Sequence, residues 1–358
     1  MRPVSAARSV LRTPGFHRVT LVSGHGPRTI QFYRDLLGFE LLPAEKSSGL
    51  PAHDMTFGIG GGQPGTLIAF LERAGAPRGR PGIGGVHHVA LGVADEAALL
   101  MWKRWLNQHR VATNGMIDRG YFKSLYFTDP DGQILELATA GPGYAIDEPA
   151  EELGRRVIAH HEHLLRQTDD GSEYASRTHP EPIPAVMAPM AISGIHHVSA
   201  ITSDTERADL FYSKHLGLTR IKKTVNQDDL RMPHHFWANY DGHRVAPHSS
   251  WTLFEYPARF HRSMEGVGQT HSVGLRASAE DLDEWREQLL EAKVPVTPVV
   301  EAEGFKSIEF KDPDGIVLEL VADDASKREP KPHNHPVPFL VLGRPGGGDE
   351  RDGVPAQK

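Results

Sequence analysis

The chain has 358 residues, 39% of them hydrophobic and 24% charged, with a formal net charge of −7 and no cysteine. That length accommodates two ordinary domains, and without cysteine any metal must rest on histidine and carboxylate, disulfides and thiolate sites being excluded. The acidic balance with no long basic run argues against nucleic acid as a partner, and no apolar stretch approaches the roughly 18 residues of a membrane span.

The opening MRPVSAARSVLRTPG carries arginine and no acid, as a transit peptide does. It lacks the apolar centre of a secretory signal, so residues 1–13 read as a frayed tail and the expected compartment is cytoplasmic. From Phe16 the pattern is regular. FHRVTLVSG alternates as a strand does, PRTIQFYRDLLGFELL is helical at first, and LIAFLE closes the unit as a strand. A second unit runs from the strand VHHVALGV through the helix DEAALLMWKRWLNQHRV to FKSLYFTDPDGQILEL, two strands joined by a DPDG turn. Residues 144–192 form a linker, with a helix expected over EPAEELGRRVIAHHEHLLRQ and a proline-rich stretch after it. The third unit reads IHHVSAITS, TERADLFYSKHLGLTRI and WTLFEYP. The fourth reads THSVGLRA, AEDLDEWREQLLEAKV and FKSIEFKDPDGIVLEL. Residues 325–358, rich in proline, glycine and charge, read as a disordered tail.

Phe122–Leu137 and Phe305–Leu320 match without a gap, which marks a duplication. The expected fold class is therefore α+β, four βαβββ modules in two tandem pairs, at residues 14–143 and 193–324.

Two of the four opening strands carry adjacent histidines. Alternation puts His87 with Val89 and Leu91, and His88 with Ala90 and Gly92, where small side chains leave room. The same parity separates His196 from His197 and Ser199. In the same column the first unit has Arg18 and the fourth has Ser272, with one residue gained or lost between the second and fourth units. The closing strand of the second unit adds Glu136. Two imidazoles and one carboxylate with open positions form the facial triad typical of non-haem Fe(II) sites. A single histidine pair in a strand is ordinarily structural; two at equivalent places, with a glutamate nearby, favour a metal. Glu319 stands where Glu136 does but faces Arg18 and Ser272, so it reads as structural. Glu72 and Glu255 end other strands and are weaker ligand candidates. His160, His161 and His163 read as a solvated helix face.

These residues resemble the vicinal oxygen chelate superfamily, built of paired βαβββ modules around a metal and including glyoxalase I, extradiol dioxygenases and bleomycin-resistance proteins. The resemblance covers nearly all of Phe16–Asp324. RGYFKSLYFTDPDGQILELATAGPGYAIDEPAEELG is similar to the closing module of hydroquinone-type ring-cleaving dioxygenases, and GIHHVSAITSDTERADLFYSKHLGLTRIKKTVNQDD to their opening module. The order of the halves is exchanged here, as in a circular permutation, so the site would come from the two middle units. The resemblance implies His88, Glu136 and His197 as metal ligands. It implies His87 and Ser199 as substrate-binding residues, Arg119 as the group steadying a phenolate or the acidic product, and Tyr126 and His196 as acid–base groups. The implied cofactor is Fe(II), with Mn(II) the alternative. The implied partners are a small aromatic diol and O2, with a homo-oligomer open. The rival readings are a glyoxalase-like lyase or isomerase, which needs a fourth ligand with Glu255 nearest, and a metal-free binding protein of the bleomycin-resistance type.

Overall fold

A computed structural model describes residues 11–42, 54–158, 175–226, 229–302 and 305–323. The protein is α+β, with two eight-stranded sheets and few helices. The strands are β1 (Phe16–Ser23), β2 (Glu40–Leu41), β3 (Met55–Gly58), β4 (Leu67–Glu72), β5 (Gly85–Val93), β6 (Ile117–Asp118), β7 (Lys123–Thr128), β8 (Ile134–Thr139), β9 (Ile195–Thr202), β10 (Thr219–Val225), β11 (Pro233–Ala238), β12 (Ser250–Glu255), β13 (Thr270–Arg276), β14 (Val300–Ala302), β15 (Phe305–Lys311) and β16 (Val317–Asp323). The helices are α1 (Gly26–Ile30), which continues as a π-helical turn over Gln31–Leu36, α2 (Glu96–Gln108), α3 (Thr205–Leu216) and α4 (Leu282–Glu291).

One sheet runs β14-β15-β16-β13-β1-β4-β3-β2 and the other β10-β11-β12-β9-β5-β8-β7-β6. Each sheet therefore joins a unit of one tandem pair to a unit of the other: the first unit with the fourth, and the second with the third. The antiparallel seams are β1 on β13 and β5 on β9. The alternation that identifies the strands does the packing. Val89, Leu91 and Val93 of β5 and Val19 and Leu21 of β1 enter one core shared by both sheets. Phe16 of one sheet meets Trp251 of the other, and Phe32, in the turn after α1, meets Phe127 of β7. Helix α2 starts where the Asp95 side chain accepts from the Ala98 N–H, and it buries Leu99, Trp102 and Leu106 on one stripe. Helix α3 is capped by Asp204 and stops at Gly217, whose φ of 66° suits a left-handed C-terminus.

The DPDG segments do more than turn the chain. Gly132 and Gly315 have φ of 88° and 103°, as the turn requires. Asp129 and Asp312 accept backbone N–H groups of their own turns and a buried tyrosine hydroxyl, from Tyr33 and Tyr212 respectively. Asp131 pairs with Arg28 at 2.6 Å and Asp314 with Arg207 at 2.7 Å. Each turn is thereby tied to the neighbouring sheet.

The linker departs from expectation. Between Glu148 and Ile158 the chain forms one 3-10 turn, Ala150–Glu152, and then runs beside β10, where Val157 bridges to Lys223. Gly154, at φ 72°, lies so close to β10 that a Cβ would come within 2.3 Å of the Arg220 carbonyl oxygen, a contact no helix of side chains allows. His160, His161 and His163 lie outside the described residues, as do residues 1–10 and the 325–358 tail. Leu11 and Thr13 are already packed, with Thr13 N–H donating to the Leu216 carbonyl.

Candidate metal centre

The β5–β9 seam builds the centre. In its register Ala90 faces His197, and His88 faces Ser199; on the other side of β5, Ala90 pairs with Glu136 of β8. Two ligand candidates thus flank one alanine, and His88 stands two residues along the same face. The methyl of Ala90 leaves the volume that the three side chains surround. His88, Glu136 and His197 are buried, with ligand atoms all within 4.8 Å of one another. His88 Nε2 lies 2.9 Å and His197 Nε2 3.3 Å from Glu136 Oε2, and the two Nε2 atoms are 3.4 Å apart. Ligand bonds of about 2.1 Å place adjacent donors about 3.0 to 3.4 Å apart around a six- or four-coordinate ion. The separations fit a divalent cation.

The protonation states fit as well. Burial alone would raise the Glu136 pKa, but His197 and His88 hold it well below the usual carboxylate range. Burial pushes His88 down, so its imidazole is neutral and Nε2 is available as a donor. Ser124 Oγ donates to Glu136 Oε1 and fixes the carboxylate.

Alternation misplaces His87 and His196. The β5–β9 register slips between Val86 and His88 and again between Ala90 and Leu91, where β9 carries the extra residue His196. Each slip is a bulge, which turns the extra residue out of strict alternation. His87 Nδ1 consequently meets His88 Nδ1 at 2.8 Å, and His196 Nδ1 meets His197 Nδ1 at 2.8 Å. The outer imidazoles thus hold the inner ones through Nδ1 and leave both Nε2 atoms turned toward Glu136, where they would face a bound cation. Burial pushes His196 down to about 3.

Tyr126 pairs with Glu136 in the β7–β8 register, and its ring stands edge-on to His88 at 5.4 Å. Arg119, 8% exposed, donates from Nη2 to the Tyr126 oxygen at 2.7 Å. Burial opposes its charge, but Tyr126 and Glu136 raise its pKa, so the guanidinium stays positive beside the carboxylate. Burial raises Tyr126 well above the usual phenol range and keeps its proton on. Ser199 is fully buried and bonded to Thr252 Oγ1 at 2.8 Å. The structure brings all eight sequence-derived site residues to this cup.

The sequence reading missed a further polar group and an aromatic wall. Thr252 also meets His234 Nε2 at 2.8 Å, and His234 is 3% exposed. Its only signal was a third histidine pair, in the strand PHHFWA. Lys222, fully buried on β10, meets Asp147, Glu148 and the Tyr144 carbonyl, and clamps the segment after β8 over the sheet. A cavity of about 480 Å³ opens there, lined by Tyr121, Phe122, Tyr144, His196, Tyr240 and His248 among others. Phe122 lies against both His196 and His197.

The equivalent place in the other sheet is filled. Arg18 pairs with Gly274, which pairs with Glu319, as His197 pairs with Ala90 and Ala90 with Glu136. Ser272 therefore stands where His88 does, and the one-residue offset read from alternation holds. Arg18 Nη2 lies 2.6 Å from Glu319 Oε2, so a guanidinium takes the place a cation would have. Glu72 and Glu255 are used elsewhere: Glu72 accepts from the Gly26 N–H and Glu255 from the Thr205 N–H and hydroxyl. Both serve helix N-termini.

Residues 15–137 and 194–320 match the family described as the Glyoxalase/Bleomycin resistance protein/Dioxygenase superfamily. Over 143 residues the chain is 36% identical to MhqA of Bacillus subtilis, designated a candidate ring-cleaving dioxygenase; the match covers 40% of this chain and 45% of that protein. It is 29% identical over 138 residues to the chlorohydroquinone/hydroquinone 1,2-dioxygenase of Sphingobium indicum, covering 38% of this chain and 42% of that protein. The matched part spans less than half the length of each of these relatives. A solved Bacillus subtilis structure, described as that of a candidate dioxygenase, superposes with a TM-score of 0.66 at 23% identity over 87% of this chain and 86% of that one.

Proposed function

Since this chain belongs to the Glyoxalase/Bleomycin resistance protein/Dioxygenase superfamily, we propose that it is a metal-dependent ring-cleaving dioxygenase acting on a hydroquinone or catechol, with Fe(II) as the metal and Mn(II) as the alternative. The observation that carries this reading is the buried His88–Glu136–His197 cluster, three donors that fit one cation and leave its other positions free. When bound, the metal would supply the cationic centre that lowers the pKa of a phenol and brings an aromatic diol and O2 together.

The chain's own residues do the rest. Arg119 holds a fixed positive charge beside the cup and steadies a phenolate or the acid that ring opening yields. Tyr126 keeps its proton and presents a hydroxyl hydrogen-bonded to Arg119, which makes it a proton donor. His196 is neutral at pH 7 and reaches the cavity wall, where its imidazole can hydrogen-bond an incoming phenol. Phe122, Tyr121 and Phe236 exclude water from the same face. The named activities of MhqA and of the hydroquinone dioxygenase support the reading.

The isomerase reading is weaker here because Glu255, its fourth ligand, is engaged at the start of α3. The test is His197→Ala. It should abolish metal binding and turnover while circular dichroism is unchanged. A variant with full metal and activity would reject a site shared between the second and third units.

A further inference from the structure

His234 has one satisfied nitrogen and one that is not. Nε2 meets Thr252 Oγ1 at 2.8 Å, and Thr252 Oγ1 meets Ser199 Oγ at 2.8 Å. Nδ1 is buried and has no hydrogen-bond partner among the described residues. Leaving a buried nitrogen unpaired is costly, and such a group calls for an explanation.

The register shows where the ring lies. His234 pairs with Phe254, Thr252 with Ser199, and Ser199 with His88. Paired residues share a face of the sheet, so His234 stands on the cup face, two strands beyond His197. The ring is packed between two aromatic neighbours. It is stacked on Phe254 at 4.0 Å and 27°, and Phe236 lies 4.4 Å away on its own strand. Phe254 in turn borders His87 and His88. His234 and the ligand cluster thus stand on one face of the sheet, with Phe254 in contact with both.

We propose that His234 is a substrate-specificity residue that hydrogen-bonds the second hydroxyl of a para-diol through Nδ1. This rests on the ring-cleavage reading above and deepens it. An ortho-diol carries both oxygens at one end of the ring and cannot reach His234 while bound at the ligands. A para-diol carries its second hydroxyl at the opposite end. The hydroxyl chain leaves the tautomer open in one respect only. If Thr252 donates to Ser199, then His234 donates from Nε2 and Nδ1 accepts. If Thr252 donates to His234, then Nδ1 donates. A phenol hydroxyl can donate or accept, so it satisfies Nδ1 in either case, whereas an alkyl group or bare ring carbon satisfies neither. A site built to bond a hydroxyl rejects the analogue lacking it.

The experiment is anaerobic titration of the Fe(II)-loaded full chain with hydroquinone, catechol and phenol, followed by ligand absorbance. Wild type should bind hydroquinone roughly 10- to 100-fold more tightly than phenol, and His234→Phe should bring that ratio close to one with metal content unchanged. Should His234→Phe fail to fold, Thr252→Val removes the group that anchors the ring and should lower the same ratio. An unchanged ratio in a metal-loaded variant, or a wild type that does not distinguish the two ligands, overturns the inference. Oxygen uptake is read separately: a His234-dependent ratio without uptake upholds the para-hydroxyl contact and defeats the ring-cleavage reading.

Discussion

Replacing Lys222 by methionine tests what holds the segment from Tyr144 to Leu153 over the cup. The Lys222 side chain has no exposure, and Nζ reaches Asp147, Glu148 Oε2 at 3.1 Å and the Tyr144 carbonyl at 3.4 Å. The two acids would respond differently to its loss. The Asp147 side chain is 21% exposed and can be hydrated where it stands, but that of Glu148 is 3% exposed, and its Oε1 already lacks a partner among the described residues. The cost is therefore the stranding of one buried carboxylate, about 3–5 kcal/mol. Urea unfolding should show Lys222→Met destabilised by that amount. Limited proteolysis should cut within the segment, whose Tyr144 hydroxyl otherwise meets Ser250 at 2.7 Å in the cavity wall. Adding Glu148→Leu should restore most of the stability, since an apolar pair can replace a buried ion pair at little cost. A single variant within about 1 kcal/mol of wild type, or a double variant as unstable as the single, would refute the clamp.

Burial pushes Asp129 and Asp312 from 3.8 up to about 6, so between these values the folded chain holds protons that the unfolded chain releases. The stability they contribute is complete below about pH 4 and is lost as pH rises through 6, by about 3 kcal/mol each; Asp129→Asn and Asp312→Asn should flatten denaturation curves measured across that window. Ala90→Val puts two methyl groups between His197 and Glu136, and metal analysis after reconstitution should show the site largely empty while the fold loses about 1–3 kcal/mol. Tyr126→Phe should keep the metal and lower kcat by about 10²- to 10⁴-fold, the range for a lost proton donor; a full kcat would remove Tyr126 from the chemistry.

The duplication was legible because residues that face the core cannot drift far, and the repeated FKS…DPDG…LEL stretch retains them. The clustering of His88, Glu136 and His197 was legible for a related reason: alternation ties His88 to the small side chains of Ala90 and Gly92, and Glu136 falls in register with Ala90. That the second cup lacks a ligand set could also be read, since an arginine at position 18 cannot coordinate a cation, and its guanidinium fills the place, bonded to Glu319. Bulges were not legible. Nothing in GGVHHVALGV says that one residue will be extra, and that one residue moves His87 beside His88. Over residues 148–158 the expected helix gives way to docking on β10, where Gly154 and the Lys222 clamp decide the outcome, and the rest of that stretch up to residue 174 lies outside the described residues. His234 escaped notice because its role depends on Thr252 and Ser199, which meet it only once the strands are paired.

The central claim is that the His88–Glu136–His197 cluster holds a metal at which an aromatic diol is opened by O2. The most direct measurement is oxygen uptake by the chain reconstituted anaerobically with Fe(II), run with substituted hydroquinones and catechols while the aromatic absorbance is followed. The account predicts one metal per chain and O2 consumed mole for mole with loss of the aromatic ring. A chain that binds the metal at this cluster yet consumes no O2 with any diol would contradict it.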